Sequence, residues 1–186
     1  MLTLYCLGNP TIKHKNNRHN AGLLLGEFLV DKLELKLKKF KNFKLSNSFL
    51  LDGQKCQIAL SESYMNESGD GILSLKTNKL SKSDEIFVLY DELDLDLGEI
   101  KIKFAGGNAG HNGLRSISGK IGDNYWKLRI GIGHPGNKKE VSDWVLNKFH
   151  PHEINQIDKA YEMFAYSFDQ ICDGQFSEVQ KKLHTS

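Results

Sequence analysis

The chain has 186 residues, 39% of them hydrophobic, with 25 Lys and Arg against 23 Asp and Glu. That length suits one domain with a sizeable core and is short for two. A mean hydropathy of −0.43, with no run near the roughly 18 apolar residues a membrane span needs, predicts a chain that does not cross a membrane. In chain order, Leu2–Leu7 reads as a buried strand, and Gly8-Asn9-Pro10 through Arg18-His19-Asn20 as the loop before a helix over Ala21–Lys36. Lys36–Lys44 is basic with interleaved aromatics, and reads as a solvated connector into a twisted hairpin or as a nucleic-acid contact. Ser48–Leu51 and Gln54–Leu60 flank Asp52-Gly53, a hairpin signal.

A second helix is expected over Asn66–Lys79, with Asn66 as its cap. Glu85–Tyr90 is the clearest buried strand, and Glu99–Phe104, alternating Ile and Lys, a half-exposed one. Asn112–Ile121 follows a glycine-rich loop as a helix, Trp126–Gly133 is a strand, and Lys139–Lys148 a helix ending before Pro151. Glu153–Cys172 is a long amphipathic helix with apolar positions at 154, 157, 161, 164, 165, 168 and 171. Strands interleaved with helices predict one α/β domain over residues 1–186, a twisted mixed β-sheet flanked by helices on both faces.

Cys6, Cys56 and Cys172 are few, odd in number and far apart, which fits free thiols in a reducing cytoplasm. The start Met1-Leu2-Thr3-Leu4-Tyr5 lacks the basic region of a signal peptide, so the expected location is cytoplasmic. No Cys/His set has zinc spacing, and Asp94-x-Asp96-x-Gly98 lacks the distal Glu of a calcium loop, so neither a metal nor a cofactor is expected. Arginine occurs at Arg18, Arg115 and Arg129 alone, the other basic residues being Lys. All three sit in candidate functional segments, either touching an anionic ligand or holding a loop.

Ligands of open α/β sheets bind outside the carboxyl ends of the strands. The loop after the first strand brings Asn9, Arg18 and His19 to that edge, and Asp91 stands at the end of the Glu85–Tyr90 strand. A carboxylate there accepts the Nδ1–H of His19, fixes its tautomer and stabilises the imidazolium. Gly106-Gly107-Asn108-Ala109-Gly110-His111-Asn112-Gly113 matches neither phosphate-loop pattern. It is either a site where backbone and a helix N-terminus approach a ligand or merely a tight loop. Asn9, Asn66 and Asn112 are three amides expected at one rim beside one His and one Asp. Amides polarise carbonyls without carrying charge, and no Ser or Cys stands in a nucleophile pattern. The set reads as metal-free hydrolysis of an acyl bond.

At four places the chain resembles the bacterial-type peptidyl-tRNA hydrolase family. They are Leu7-Gly8-Asn9-Pro10 with Arg18-His19-Asn20-Ala21-Gly22; Ser63-Tyr64-Met65-Asn66-Glu67-Ser68-Gly69; Asp91-Glu92-Leu93-Asp94-Leu95 through Gly110-His111-Asn112-Gly113-Leu114; and Leu128-Arg129-Ile130-Gly131-Ile132-Gly133-His134-Pro135. The resemblance implies cleavage of the ester between a peptide and the 3′-terminal ribose of tRNA, recycling tRNA from stalled or dropped-off translation. It implies His19 as the base that activates water and Asp91 as its support. Asn9 then discriminates N-blocked substrates, while Tyr64, Asn66 and Asn112 hold peptide backbone and terminal nucleotide. Lys103, Arg129 and Lys138 match the positions implicated in gripping the acceptor stem. The implied partner is peptidyl-tRNA, with no membrane, and the expected state is a monomer.

The chain departs from the family pattern at His14, a substrate-contact position usually occupied by Tyr, and at Ala105 and Ala109, which replace loop glycines. Two rival readings are a non-catalytic RNA-binding relative of the same fold and a hydrolase of small peptides or nucleosides. The conjunction of Asn9, His19, Asn66, Asp91 and Asn112 disfavours the first, and the Lys103, Arg129 and Lys138 set disfavours the second.

Overall fold

The structure, a computed structural model, describes residues 1–51, 53–81 and 84–168. Eight strands form one mixed sheet: β1 (Leu2–Cys6), β2 (Leu37–Lys39), β3 (Phe43–Ser46), β4 (Phe49–Leu51), β5 (Gln54–Ser61), β6 (Glu85–Glu92), β7 (Ile100–Phe104) and β8 (Trp126–Gly131). Their order is β2-β3-β5-β1-β6-β8-β7, with β4 also pairing β5. The inner strands β5, β1, β6 and β8 are parallel, and β3, β4 and β7 pair antiparallel to them. The α/β expectation with a mixed sheet holds.

Strand alternation divides the core in two. Leu2, Leu4 and Cys6 of β1, with Phe87 and Leu89 of β6, face α1 (Ala21–Lys32) and α5 (Pro151–Tyr166), meeting Leu25, Leu29, Ile157, Tyr161 and Phe164. Tyr5 and Leu7, with Val88 and Tyr90, face α2 (Ser68–Lys79) and α3 (Asn112–Ile121), meeting Ile72, Leu75, Leu114 and Ile117. Helices therefore cover both faces. The first face needs glycine: a Cβ on Gly22 would stand 2.1 Å from the Leu89 carbonyl oxygen, and one on Gly26 2.5 Å from Cys6 Sγ. These two residues, one helical turn apart, let α1 lie directly on the sheet.

Several boundaries differ from the sequence reading, each for a tertiary reason. Helix α1 stops at Lys32 rather than Lys36, with Glu34 at φ 51°. Leu33, Leu35 and Leu37 recur every second residue, the strand period, and the chain becomes edge strand β2. The chain from Lys36 to Lys44 is thus a hairpin entry, as expected, and Lys39 and Lys44 both pair with Glu62. Asn66 does not cap α2. It lies inside a 3-10 turn, Met65–Glu67, because Asn9 Oδ1 accepts the Met65 N–H at 2.9 Å and starts the turn there.

The helix expected over residues 139–148 splits into a 3-10 turn, Lys138–Glu140, and α4 (Val141–Leu146). It ends early because Asn147 is extended and its carbonyl accepts the Arg18 N–H. Helix α5 starts at Pro151, a favoured first helical residue, with the Glu153 carboxylate accepting the His150 N–H at 2.6 Å. The β4–β5 hairpin forms with Leu51 opposite Gln54 and Gly53 at φ 85°. Cys6 and Cys56 are free and buried. Asp52, Cys172, His184 and apolar position 171 lie outside the described residues. No helix among the described residues is long and apolar enough to cross a membrane.

Candidate active site

Strands β1 and β6 are parallel neighbours, so the loop after β1 and the last residues of β6 leave the sheet side by side. The Leu7 N–H donates to the Leu89 carbonyl at 3.0 Å, and the Leu23 N–H to that of Leu7 at 2.8 Å. The loop between Leu7 and Leu23 is thereby folded back over the sheet edge. His19 sits in its final 3-10 turn, Arg18–Asn20, and is 8% exposed. Asp91 belongs to β6 itself, which continues to Glu92, and is 3% exposed.

His19 Nδ1 lies 2.9 Å and 2.8 Å from the two carboxylate oxygens of Asp91. His111, which caps α3, reaches the same carboxylate, with Nε2 2.9 Å from Oδ1. Its Nδ1 accepts the Leu114 N–H at 3.2 Å. An accepting Nδ1 fixes the tautomer by the hydrogen-bond network: His111 carries its proton on Nε2 and donates it to Asp91. Asp91, a pure acceptor when ionised, then takes the Nδ1–H of His19 as well. The remaining nitrogen of His19, Nε2, has no protein partner among the described residues. It is not enclosed either, since the sealed side-chain atoms without a partner are Arg18 Nε and Tyr125 Oη.

Electrostatics agree with that assignment. Burial by itself would push the Asp91 carboxyl up, but the charge of His19 and the hydrogen bonds of both imidazoles hold it well below the usual carboxylate range. Burial lowers the proton affinity of His19, and the charge and hydrogen bond of Asp91 outweigh it, leaving the imidazole above its ordinary value. The result is a carboxylate that stays ionised beside an imidazole primed to accept a proton.

His19, Asp91 and His111 each offer a ligand atom within 4.8 Å of the others, which raises the question of a metal. The donor set does not fit one. A metal on His111 Nε2 would move the proton to Nδ1, where it would face the Leu114 N–H, donor against donor. The nitrogens nearest Asp91 are occupied as proton donors.

These groups open on a cavity of about 600 Å³. Its walls include His19, Asp91, Glu92, Asn108–Asn112, His134, Lys138 and the inner side of α4. Of the predicted site residues, His19, Asp91, Asn112 and Lys138 line it together. Asn9 stands next to them: its N–H donates to Asn20 Oδ1 at 2.8 Å and its carbonyl accepts from Asn20 Nδ2 at 3.1 Å. Its Oδ1 accepts the Met65 N–H at 2.9 Å, and Tyr64 and Asn66 on either side of Met65 are exposed. Gly113 joins the two sides, since a Cβ there would meet Met65 Sδ and His111 Cε1.

Asn9, His14, Tyr64, Asn66, Lys103 and Arg129 are outside that lining. His14 Nδ1 is 2.9 Å from Asn17 Nδ2. Arg129 Nε donates to Glu92 Oε2 at 3.0 Å, which ties it to a wall residue. Lys103 lies on edge strand β7, exposed.

The three arginines part company. Arg18 is 1% exposed; its guanidinium donates to Glu153 Oε2 at 2.7 Å and to the Lys148 carbonyl at 2.6 Å, and lies 3.9 Å from the Trp144 ring. It holds the His19 turn against α4 and α5 from a position closed to solvent. Arg115 is exposed and donates to Asn112 Oδ1 at 2.7 Å.

Sequence reasoning passed over His111 and His134. His111 had a signal: it follows Gly110 directly ahead of a helix, the position of a side-chain cap. His134 had none beyond its proximity to Arg129, and in the structure it lines the cavity with Nδ1 accepting from the Gly136 N–H at 2.9 Å.

A mixed α/β sheet with an imidazole–carboxylate pair at the carboxyl edge, open to a cavity that the Asn108 and Asn112 amides line, fits a hydrolase. Comparison with known proteins narrows the class. The profile of the family described as peptidyl-tRNA hydrolase matches residues 3–186. A peptidyl-tRNA hydrolase of Rickettsia felis is 38% identical over 98% of this chain and 100% of its own length. One from Rickettsia prowazekii is 36% identical with the same coverage. The crystal structure of peptidyl-tRNA hydrolase from Acinetobacter baumannii superposes with a TM-score of 0.89 at 33% identity, covering 98% of this chain and 94% of that one. The chain belongs to the peptidyl-tRNA hydrolase family.

Proposed function

We propose that the chain hydrolyses the ester between a peptide and the 3′-terminal ribose of tRNA with a water activated by His19, using no metal. The activity itself, an esterase acting on peptidyl-tRNA, follows from family membership. The observation that carries the mechanism is the His19–Asp91 contact at 2.8 Å on the wall of the cavity. His19 Nε2 takes a proton from water as the water oxygen bonds to the ester carbonyl carbon. The tetrahedral intermediate collapses, the bond to the ribose oxygen breaks, and that oxygen takes the proton back from the imidazolium. Asp91 stabilises the positive charge at its height. Recycling of tRNA is the consequence.

General-base catalysis supplies about 10²–10⁴ in rate, so the amides supply positioning and polarisation. Asn9 spends its Oδ1 on Met65 and Asn112 its Oδ1 on Arg115, so each offers its NH₂ as a donor to substrate carbonyls. That supports Asn9 as the reader of an N-blocked peptide and Asn112, with Asn66, Tyr64 and His14, as the peptide and nucleotide contacts. Lys138 on the wall, Arg129 behind Glu92 and Lys103 on the edge strand supply cations for the acceptor stem.

The test is release of deacylated tRNA from N-acetyl-aminoacyl-tRNA with EDTA present, alongside Lys103→Ala and Arg129→Ala on full-length tRNA and on a minimal ester. Turnover unaffected by EDTA, with KM raised for tRNA alone, is expected. Loss of turnover in EDTA, or equal losses on both substrates, contradicts the reading.

A further inference from the structure

Lys127 is the most thoroughly enclosed lysine of the described chain, at 1% exposure on strand β8. A lysine almost never goes fully inside unless its charge is met. Here its ammonium donates to the carbonyl oxygen of Gly106 and, at 3.3 Å, to that of Gly107, and lies 4.9 Å from the Tyr125 ring. Its cross-strand partner is Lys103, whose Cε and Nζ pack over Gly106. Both lysines thus close on one point of the loop that joins β7 to α3.

That loop is unusual in its backbone. Ala105, Gly106, Ala109 and Gly110 all have positive φ, at 55°, 85°, 47° and 82°. Alanine in the left-handed region costs energy that glycine does not, so the conformation requires contacts from outside the loop. The Ala105 N–H donates to the Tyr125 carbonyl at 3.0 Å, and the next two carbonyls face Lys127. The loop then runs along the cavity through Asn108, Ala109 and Gly110 and delivers His111 to Asp91 and Asn112 to the wall.

We infer that Lys127 is a positioning residue for the hydrolytic site: by donating to the Gly106 and Gly107 carbonyls it locks the 105–110 loop in the one conformation that brings His111 and Asn112 to the cavity. The inference rests on the reading of those two residues as part of the site. A like charge directly across the strand pair is otherwise unfavourable, which argues that the carbonyl contacts are what the side chain is there to make. Burial draws the Lys127 pKa below the ordinary lysine value, with Asp123 opposing and Lys103 adding to the effect.

The experiment compares wild type, Lys127→Met, Lys127→Gln, Lys127→Arg and His111→Ala in steady-state hydrolysis of N-acetyl-aminoacyl-tRNA, with amide hydrogen exchange over residues 105–112 and a thermal unfolding curve for each. Lys127→Met is expected to lower kcat about tenfold or more through misplacement of the loop, with little change in KM, faster exchange in 105–112 and a nearly unchanged unfolding midpoint. Lys127→Arg, which keeps a multidentate cation on the two carbonyls, is expected to restore most of kcat. Lys127→Gln, which keeps one N–H without the charge, covers a Lys127→Met chain that fails to fold and is expected to fall between the two. Wild-type kcat in the Met or Gln variant, or an Arg variant no better than Met, overturns the inference. A kcat loss in the Met or Gln variant with wild-type exchange in the loop also overturns it. If His111→Ala keeps full activity, the reading of the site itself fails; if it loses activity while the Lys127 variants do not, the latch alone fails.

Discussion

His111 donates its Nε2–H to Asp91 Oδ1 at 2.9 Å, the same oxygen that lies 2.9 Å from His19 Nδ1. The carboxylate is therefore held by two imidazoles with different duties. His111 is tied at both nitrogens, to Asp91 and to the Leu114 N–H. His19 is tied at one and keeps the other for water.

Replacing His111 tests that division. His111→Ala removes a donor from Asp91 and the cap from α3, and is expected to lower kcat about tenfold while costing about 1 kcal/mol of stability. His111→Gln, which can still donate to Asp91, is expected to recover part of kcat. Steady-state kinetics with chemical denaturation separates the two effects, and an Ala variant with wild-type kcat removes His111 from the site.

The raised pKa of His19 sets the acid side of the pH profile. A base is lost when protonated, so kcat/KM falls as pH drops through the folded pKa of His19, above the ordinary imidazole value of about 6.5. Asp91→Asn removes the cause of the elevation and is expected to shift that limb to lower pH while lowering turnover, by less than His19→Ala. A limb that stays in place detaches Asp91 from His19. Stability carries the same signs. The His19 contribution is full below the unfolded imidazole pKa and is lost as pH rises through the folded one. That of Asp91, whose folded pKa is depressed, is present above the unfolded carboxyl value and is lost as pH falls through the folded value.

Arg18 is expected to act on stability rather than on substrate. Arg18→Met takes the guanidinium from the buried Glu153 pair, leaving that carboxylate the His150 N–H alone, and from the Lys148 carbonyl, and should cost about 3 kcal/mol in urea denaturation. A raised KM for tRNA without loss of stability would return Arg18 to the ligand-contact role.

Ala105 tests the strain in the glycine-rich loop. Left-handed backbone costs alanine about 1–2 kcal/mol, offset by the entropy glycine loses on folding, about 0.4–1 kcal/mol. Ala105→Gly is therefore expected to stabilise by roughly 0.5–1 kcal/mol. A lower unfolding midpoint in that variant would show that the conformation is supported well enough to need no glycine.

Much of this was legible in the residues. Periodicity located β1, β6, β8 and α3, because each buries a face whose spacing follows its own geometry. The placement of Asn9, His19 and Asp91 followed from the rule that parallel strands deliver ligand residues at their carboxyl ends. What escaped were features set by partners distant in sequence. The cap of the Met65 turn comes from Asn9, 56 positions away, and the end of α4 is set by Arg18 across the isolated Asn17–Lys148 bridge. The burial of Lys127 was invisible for the same reason: only the fold shows that two loop carbonyls wait for its ammonium.

The most direct measurement of the central claim is single-turnover hydrolysis of N-acetyl-aminoacyl-tRNA by His19→Ala at saturating enzyme, with the affinity of the same variant for deacylated tRNA. A folded variant that binds tRNA like wild type and releases almost no peptide is the predicted result. Hydrolysis near the wild-type rate would contradict the account, because a group other than His19 would then be taking the proton from water.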